Sequence, residues 1–172
     1  RMGQGALDVL YDRYWALVRQ MAESGLFQIA GHLDLPKKLL DRPPAAEGRG
    51  VRAEDAWGVA TQRHPEVSAS PHVAAALDAI AAAGMVVELN TAGWVMPCAE
   101  CYPSPVLLRA CRARGIPVTI AADAHSAQHL LRQFERAVRV LRAVGYREVA
   151  RLERRRILMQ PLDAFEARLV LG

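Results

Sequence analysis

Apolar residues recur along the chain at helical spacing and then in short extended runs, and the two patterns alternate. Residues 6–23 carry apolar side chains at helical spacing, which predicts an amphipathic helix ended by Gly25. The continuous apolar run 26–30 then predicts a short buried strand that leads into Gly31-His32-Leu33-Asp34. The chain therefore opens with a helix followed by a strand with a polar end.

The same order of elements returns further along the chain. Ser70-Pro71 and Ser104-Pro105 each place a capping hydroxyl before a proline, which is typical of the first residues of a helix. The helix that begins at Ser70-Pro71 should turn Val73, Leu77 and Ile80 inward. Glycines are expected to end helices at Gly84, Gly115 and Gly145. The same criteria predict strands at 85–90, 117–121 and 148–152 and further helices at 53–64, 127–144 and 162–169. Residues 41–50 are rich in Pro, Gly and charge and predict a loop. This alternation favours an α/β fold with parallel strands joined by crossover helices.

Polar residues able to do chemistry follow three of the predicted strands. They are His32, then Glu88 with Asn90, then Asp123 with His125. In α/β folds ligands bind at the carboxyl ends of the strands, so these residues are expected to meet at one edge. A carboxylate and an imidazole two residues apart suit Zn, Mn or Fe. The simpler alternatives are a capping Asp123 beside a surface His125, and a His32 bonded to backbone in the core.

Composition limits the class of protein. The chain has 172 residues, 52% of them hydrophobic, which is ordinary for one globular domain. No apolar run approaches the roughly 18 residues that span a bilayer, and no secretion signal is visible. Three cysteines do not make a disulfide framework, so a reducing cytoplasm is the expected compartment.

Charge and cysteine spacing raise further possibilities. The net charge is +4, and arginines crowd the last third of the chain, including Arg154-Arg155-Arg156. A nucleic-acid surface is one interpretation, but no aromatic residues are interleaved to stack bases, so a solvated helix face is favoured. Cys98-Ala-Glu-Cys101 has the spacing of a redox or zinc pair. Without further ligands nearby, adventitious loop thiols are the preferred interpretation. His64 and His72 are interpreted as surface residues.

Four motifs in order resemble the polymerase-and-histidinol-phosphatase (PHP) superfamily, and their order and spacing most resemble its histidinol-phosphatase branch. They are Gly31-His32-Leu33-Asp34-Leu35, Glu88-Leu89-Asn90-Thr91-Ala92-Gly93, Tyr102-Pro103-Ser104-Pro105 and Ala122-Asp123-Ala124-His125. The resemblance runs from about residue 10 to about residue 160.

The resemblance implies a distorted (β/α)7 barrel, of which residues 1–172 form a single C-terminal portion of strand–helix units. It implies two or three divalent metal ions (Zn, Mn or Fe) that activate water to hydrolyse a phosphomonoester, here L-histidinol phosphate in histidine biosynthesis. His32, Asp123 and His125 match metal ligands and form the implied catalytic set. Glu88 and Asn90 match a strand-end signature that would line the substrate site, and Arg154 matches an arginine that would help hold phosphate.

The departures from the family pattern are equally informative. The family's first motif, an N-terminal His-x-His, has no counterpart here, and the chain begins at Arg1 without Met. We therefore expect that the N-terminal part with the first metal motifs is absent, and that this part or a partner chain closes the barrel. Trp94-Val95-Met96 stand where the family usually has basic residues, and Ala122 stands where the family usually has a serine.

Three hypotheses remain open at this point. The first is a histidinol-phosphate phosphatase, the second another PHP phosphoesterase acting on nucleotides or nucleic acid, and the third a non-catalytic remnant. Under the first hypothesis, the substrate is a small phosphorylated molecule, and neither a membrane nor a nucleic acid is an expected partner. With only three ligands, this chain alone should bind metal weakly and can lack activity by itself.

Overall fold

A computed structural model of the chain describes residues 4–39 and 70–171. The predicted loop at 41–50, the predicted helix at 53–64 and His64 lie outside the described residues. The described elements, in chain order, are α1 (Gln4–Glu23), β1 (Ile29–Ala30), α2 (Pro71–Ala82), β2 (Val86–Asn90), α3 (Pro105–Ala113), β3 (Val118–Ala121), α4 (Phe134–Ala143), β4 (Glu148–Glu153), β5 (Arg156–Pro161) and α5 (Leu162–Leu171). Short 3₁₀ helices at Leu35–Leu39, Thr91–Val95 and Ala127–His129 follow β1, β2 and β3.

Strands β1, β2 and β3 form a parallel sheet in that order, with β2 in the centre. Ala30 lies opposite Val87, and Asn90 lies opposite Ala121. Since parallel neighbours need crossover connections, helices separate the strands along the chain. This confirms the mixed α/β class with a parallel sheet. Within the described residues the sheet does not close into a barrel, and the complete PHP barrel stays a prediction.

The two proline-initiated helices begin where the sequence indicates. The Ser70 side chain accepts a hydrogen bond from the His72 N–H, and Pro71 is the first residue of α2. Likewise the Ser104 side chain accepts from the Leu107 N–H at the start of α3. A side-chain acceptor satisfies an amide that has no partner within the helix, which is why serine is favoured at this position.

Two clusters of buried apolar side chains hold the helices on the sheet. The first joins α1 and α2 to β1 and β2, and its largest member is Trp15, 1% exposed. Val73, Leu77 and Ile80 of α2 all face into it, as predicted. The second cluster joins α4 and α5 to β2, β3 and β4 around residues such as Leu141, which is fully buried. Burial of one such leucine stabilises the fold by roughly 1.5–3 kcal/mol.

Two predicted elements are shorter than expected. The strand predicted at 26–30 is reduced to Ile29–Ala30, because Leu26 and Phe27 are exposed (73% and 52%) and lie outside the sheet. The predicted helix at 127–144 was wrong in its first half. A 3₁₀ helix is followed by a turn, and α4 begins only at Phe134 because Gln133 has a left-handed backbone conformation (φ 59°).

The predicted strand at 148–152 exists, but it pairs differently from the others. β4 forms an antiparallel hairpin with β5, a strand that the sequence pattern did not reveal. Arg154 and Arg155 connect the two strands, and both have positive φ. Positive φ at both central residues is the mark of a tight turn that usually takes Asn-Gly. No helix in the described part of the chain is long and apolar enough to cross a membrane.

Candidate functional site

The three parallel strands deliver the predicted site residues to one edge of the sheet. His32 follows β1, Glu88 and Asn90 end β2, and Asp123 follows β3. The strands are neighbours and point the same way, so their carboxyl ends meet at the same edge. The sheet topology is therefore the one that was expected from the polar residues at the strand ends.

Both backbone polar groups of His32 are hydrogen-bonded. Its N–H donates to Glu88 Oε2 at 2.8 Å, and its carbonyl oxygen accepts from the Leu35 N–H at 2.9 Å. His32 has a φ of 28°, a conformation that costs a non-glycine residue about 1–3 kcal/mol. Such a conformation persists only where neighbouring contacts hold it, and these two hydrogen bonds are among those contacts. The imidazole itself is half-buried.

Asn90 is tied into the loop that follows β2. Its side-chain oxygen accepts from the Ala92 N–H at 2.9 Å, and its Nδ2 lies 3.4 Å from Glu88 Oε2. Its backbone exchanges two hydrogen bonds with Tyr102. Since Asn90 is only 1% exposed, it forms part of the wall beneath the strand ends. Its predicted contact with substrate, and that of Glu88, stay predictions.

The turn after β3 presents Asp123 and His125 to solvent. Asp123 has positive φ (48°), and both side chains are exposed. His125 Nδ1 lies 2.8 Å from the carbonyl oxygen of Asp123, which favours the tautomer protonated at Nδ1. That tautomer leaves the lone pair of Nε2 free for a metal ion. The Arg132 guanidinium donates to the Ala122 carbonyl at 3.2 Å and fixes the start of this turn.

The described part of the chain does not complete a metal centre. Among residues 4–39 and 70–171, no group of three or more His, Cys, Asp or Glu side chains is arranged to hold a metal ion. Two imidazoles and a carboxylate are suitable donors by their chemistry. His32, Asp123 and His125 therefore stay predicted ligands, and further donors would have to come from outside the described residues.

A buried ion cluster lies close to His32 along the chain, and no motif in the sequence reveals it. Lys37 Nζ lies 2.8 Å from Asp34 Oδ2 and 2.7 Å from Glu100 Oε2, with all three side chains nearly buried. Burial alone would lower the pKa of Lys37, but the two carboxylates outweigh it and raise the pKa. Burial also raises the pKa of Glu100, against the opposing effect of Lys37. The i, i+3 spacing of Asp34 and Lys37 was the available signal, but Glu100 is far away in sequence.

The three cysteines are buried and unpaired. Burial raises the pKa of Cys101 and raises that of Cys111 to about 12, so both thiols stay protonated near neutral pH. Cys98 packs under the Thr91–Val95 turn, with its sulfur 3.5 Å from the Gly93 carbonyl. The backbone of Gly93 lies close to that of Glu100, because a Cβ at Gly93 would overlap the Glu100 carbonyl oxygen. The prediction of adventitious loop thiols was therefore incomplete, since Cys98 and Cys101 are packing residues.

Trp94 and Arg154 have opposite surroundings. Trp94 is 9% exposed and packs under the guanidinium of Arg136, 4.5 Å from the ring centroid. Arg154 is exposed at the tip of the β4–β5 hairpin. No described residue forms a hydrogen bond or an ion pair with its side chain, and its role toward phosphate stays a prediction. His72 is exposed on α2, as expected.

Imidazole and carboxylate side chains lie along the carboxyl edge of the parallel sheet, which is where α/β folds bind their ligands. The chain is also 39% identical over 154 residues to a protein from Deinococcus radiodurans named "Probable histidinol-phosphatase". The match covers 88% of this chain and 48% of that protein, so the chain spans about half the length of the curated relative it matches. No protein-family model matches the chain.

Proposed function

We propose that this chain is the C-terminal part of a PHP-type metal-dependent phosphomonoesterase that hydrolyses L-histidinol phosphate. The observation that carries the proposal is the 39% identity to a probable histidinol-phosphatase over 88% of the chain. The strand-end positions of three of the four motifs, on neighbouring parallel strands, support it independently of that name. Completion of the barrel by an N-terminal part or a partner chain is included in the proposal.

The proposed ligands are His32, Asp123 and His125. Their donor types suit Zn, Mn or Fe, while their number leaves room for donors contributed by the rest of the protein. When bound, two or three such ions would neutralise charge on the phosphoryl oxygens and lower the pKa of an attacking water.

The residues of this chain would do the positioning. Glu88 holds the backbone N–H of His32, and the Asp123 carbonyl orients the imidazole of His125. Asn90 supports the loop after β2 that walls the site. Arg154 would reach phosphate from the hairpin tip by bidentate hydrogen bonds, for which a guanidinium is suited.

The test uses the complete protein that contains this chain. His125→Ala is expected to abolish metal-dependent hydrolysis of histidinol phosphate while the thermal unfolding midpoint stays unchanged, because the side chain is exposed. His72→Ala is the matched control, since His72 is also an exposed histidine and is not among the proposed ligands. Full activity in the His125 variant would refute the ligand assignment. Faster turnover of a nucleotide than of histidinol phosphate would redirect the proposal to a different phosphoesterase.

Metal content gives a second test. The 172-residue chain alone should bind Zn²⁺ weakly, because its three proposed ligands do not complete a site for two or three metal ions. Two or three tightly held metal ions per isolated chain, measured by elemental analysis after gel filtration, would show that the ligand assignment is wrong.

A further inference from the structure

The buried cluster of Asp34, Lys37 and Glu100 joins two loops that are distant in sequence. Asp34 and Lys37 belong to the segment after β1, whereas Glu100 and Cys101 belong to the segment after β2. Lys37 Nζ donates to Glu100 Oε2 and to the Cys101 carbonyl, both at 2.7 Å. It also lies 2.8 Å from Asp34 Oδ2. An ammonium has three N–H donors, so these three oxygens use all of them.

Asp34 extends the connection to the next helix. Its Oδ2 also accepts from the Ser104 N–H at 2.9 Å, directly at the start of α3. Asp34 is 4% exposed and Glu100 is 8% exposed, so the cluster is shielded from water. In that setting a fully bonded cation fixes the relative position of the loops, whereas an unpaired one would be costly.

Further hydrogen bonds fix the residues between His32 and the cluster. The Tyr14 hydroxyl donates to the Leu33 carbonyl at 2.8 Å, and the Lys37 N–H donates to the Asp34 carbonyl at 3.2 Å. On the other side, the His32 N–H is bonded to Glu88 at the end of β2. His32 is thus held between a hydrogen bond from one strand end and an ion cluster that begins two residues further along the chain.

We propose that Lys37 is a positioning residue, which fixes the strand-end turn bearing His32 against the loop after β2. The inference rests on the proposed role of His32 as a metal ligand. Lys37 acts through the loops and has no donor left for phosphate. The basic residues that contact substrate must therefore come from elsewhere.

The experiment compares two variants of the complete protein that contains this chain with wild type. Lys37→Met removes the cation, and Lys37→Met/Asp34→Asn/Glu100→Gln removes all three charges, so that no unpaired carboxylate is left buried if the single variant fails to fold. Two quantities are measured: Zn²⁺ affinity by chelator competition, and hydrogen exchange of the His32 amide. In both variants we expect Zn²⁺ affinity to fall about tenfold or more, as for other residues that orient ligands. His32 exchange should accelerate relative to the Val144 amide, which is bonded to the Val140 carbonyl in α4.

Leu141→Ala is the matched control, because Leu141 lies in α4 and belongs to the second core cluster, whereas Leu33 of the His32 turn belongs to the first. It should accelerate the Val144 amide at least as much as the His32 amide and leave Zn²⁺ affinity unchanged. Unchanged Zn²⁺ affinity and unchanged relative exchange at His32 in the triple variant would overturn the positioning role, with the proposed function intact. If wild type binds no Zn²⁺ but His32 exchange still responds selectively, the metal assignment fails and the positioning of His32 by Lys37 stands.

Discussion

The ends of β1 and β3 carry the same kind of residue in opposite surroundings. The turn after β1 is fixed by Tyr14, Glu88 and the Lys37 cluster, and it is largely buried. The turn after β3 is exposed and is held by a bond within itself and by one arginine. We infer that the fold of this chain fixes the position of His32 before any metal ion binds. Asp123 and His125 stay accessible, so that ligands from elsewhere can complete the metal site around them.

The largest effect that separates the two ends is expected at Lys37. Lys37→Met leaves two buried carboxylates without their cation, and removal of one partner of a buried ion pair costs about 3–5 kcal/mol. Urea denaturation measures this loss in the free energy of unfolding. The exposed neighbour is the control: Lys38→Met should stay within about 0.5 kcal/mol of wild type. Equal stability of the two variants would mean that the β1 end is not held by its ion cluster.

A smaller effect is expected at Tyr14. Tyr14→Phe removes the hydroxyl that bonds the Leu33 carbonyl and should cost about 1 kcal/mol at neutral pH. Burial, with a contribution from Asp34, raises the pKa of Tyr14 from 10.0 to about 12. The unfolded chain therefore releases this proton first, so the contribution of Tyr14 to stability is complete below pH 10 and is lost as the pH rises toward 12.

The pH dependence gives this prediction its own check. Unfolding midpoints measured between pH 9 and 12 should fall less steeply in Tyr14→Phe than in wild type. The other buried tyrosines titrate in both proteins, so only the difference between the two curves is informative. Parallel curves would show that Tyr14 is ionised as easily in the folded protein as in the unfolded one.

The smallest effect on stability is expected at the β3 end. Asp123→Asn keeps a side chain that tolerates positive φ and changes an exposed group, so the free energy of unfolding should shift by less than about 0.5 kcal/mol. Hydrolysis by the complete protein should nevertheless be lost, because an amide is a poor metal ligand. If Asp123→Asn lost as much stability as Lys37→Met, the turns after β1 and β3 would be held equally firmly, and the difference inferred between them would be wrong.

The sequence predicted the parallel α/β order and the strand ends well, for identifiable reasons. Ser70-Pro71 and Ser104-Pro105 act locally, and glycines end the helices by local backbone conformation. The errors arose where distant contacts decide the structure. β5 has exposed apolar residues without alternation and exists through its pairing with β4.

The candidate site was predictable only in part. His32, Asp123 and His125 are visible because each follows an apolar run. Glu100 could not be assigned to Lys37, since 63 residues separate them in sequence. The break before Phe134 depends on a left-handed residue, Gln133, that nothing in the local sequence requires.

The close contact at Gly93 has a consequence for recognising related proteins. A side chain at this position would overlap the Glu100 carbonyl, so the loop that carries Glu100 to Lys37 is compatible with glycine alone. Among sequences that share the strand-end motifs, those with glycine here should keep the same loop path. A homologue with a larger residue must have rebuilt the loop, and Gly93 can therefore sort candidate relatives before any of them is purified.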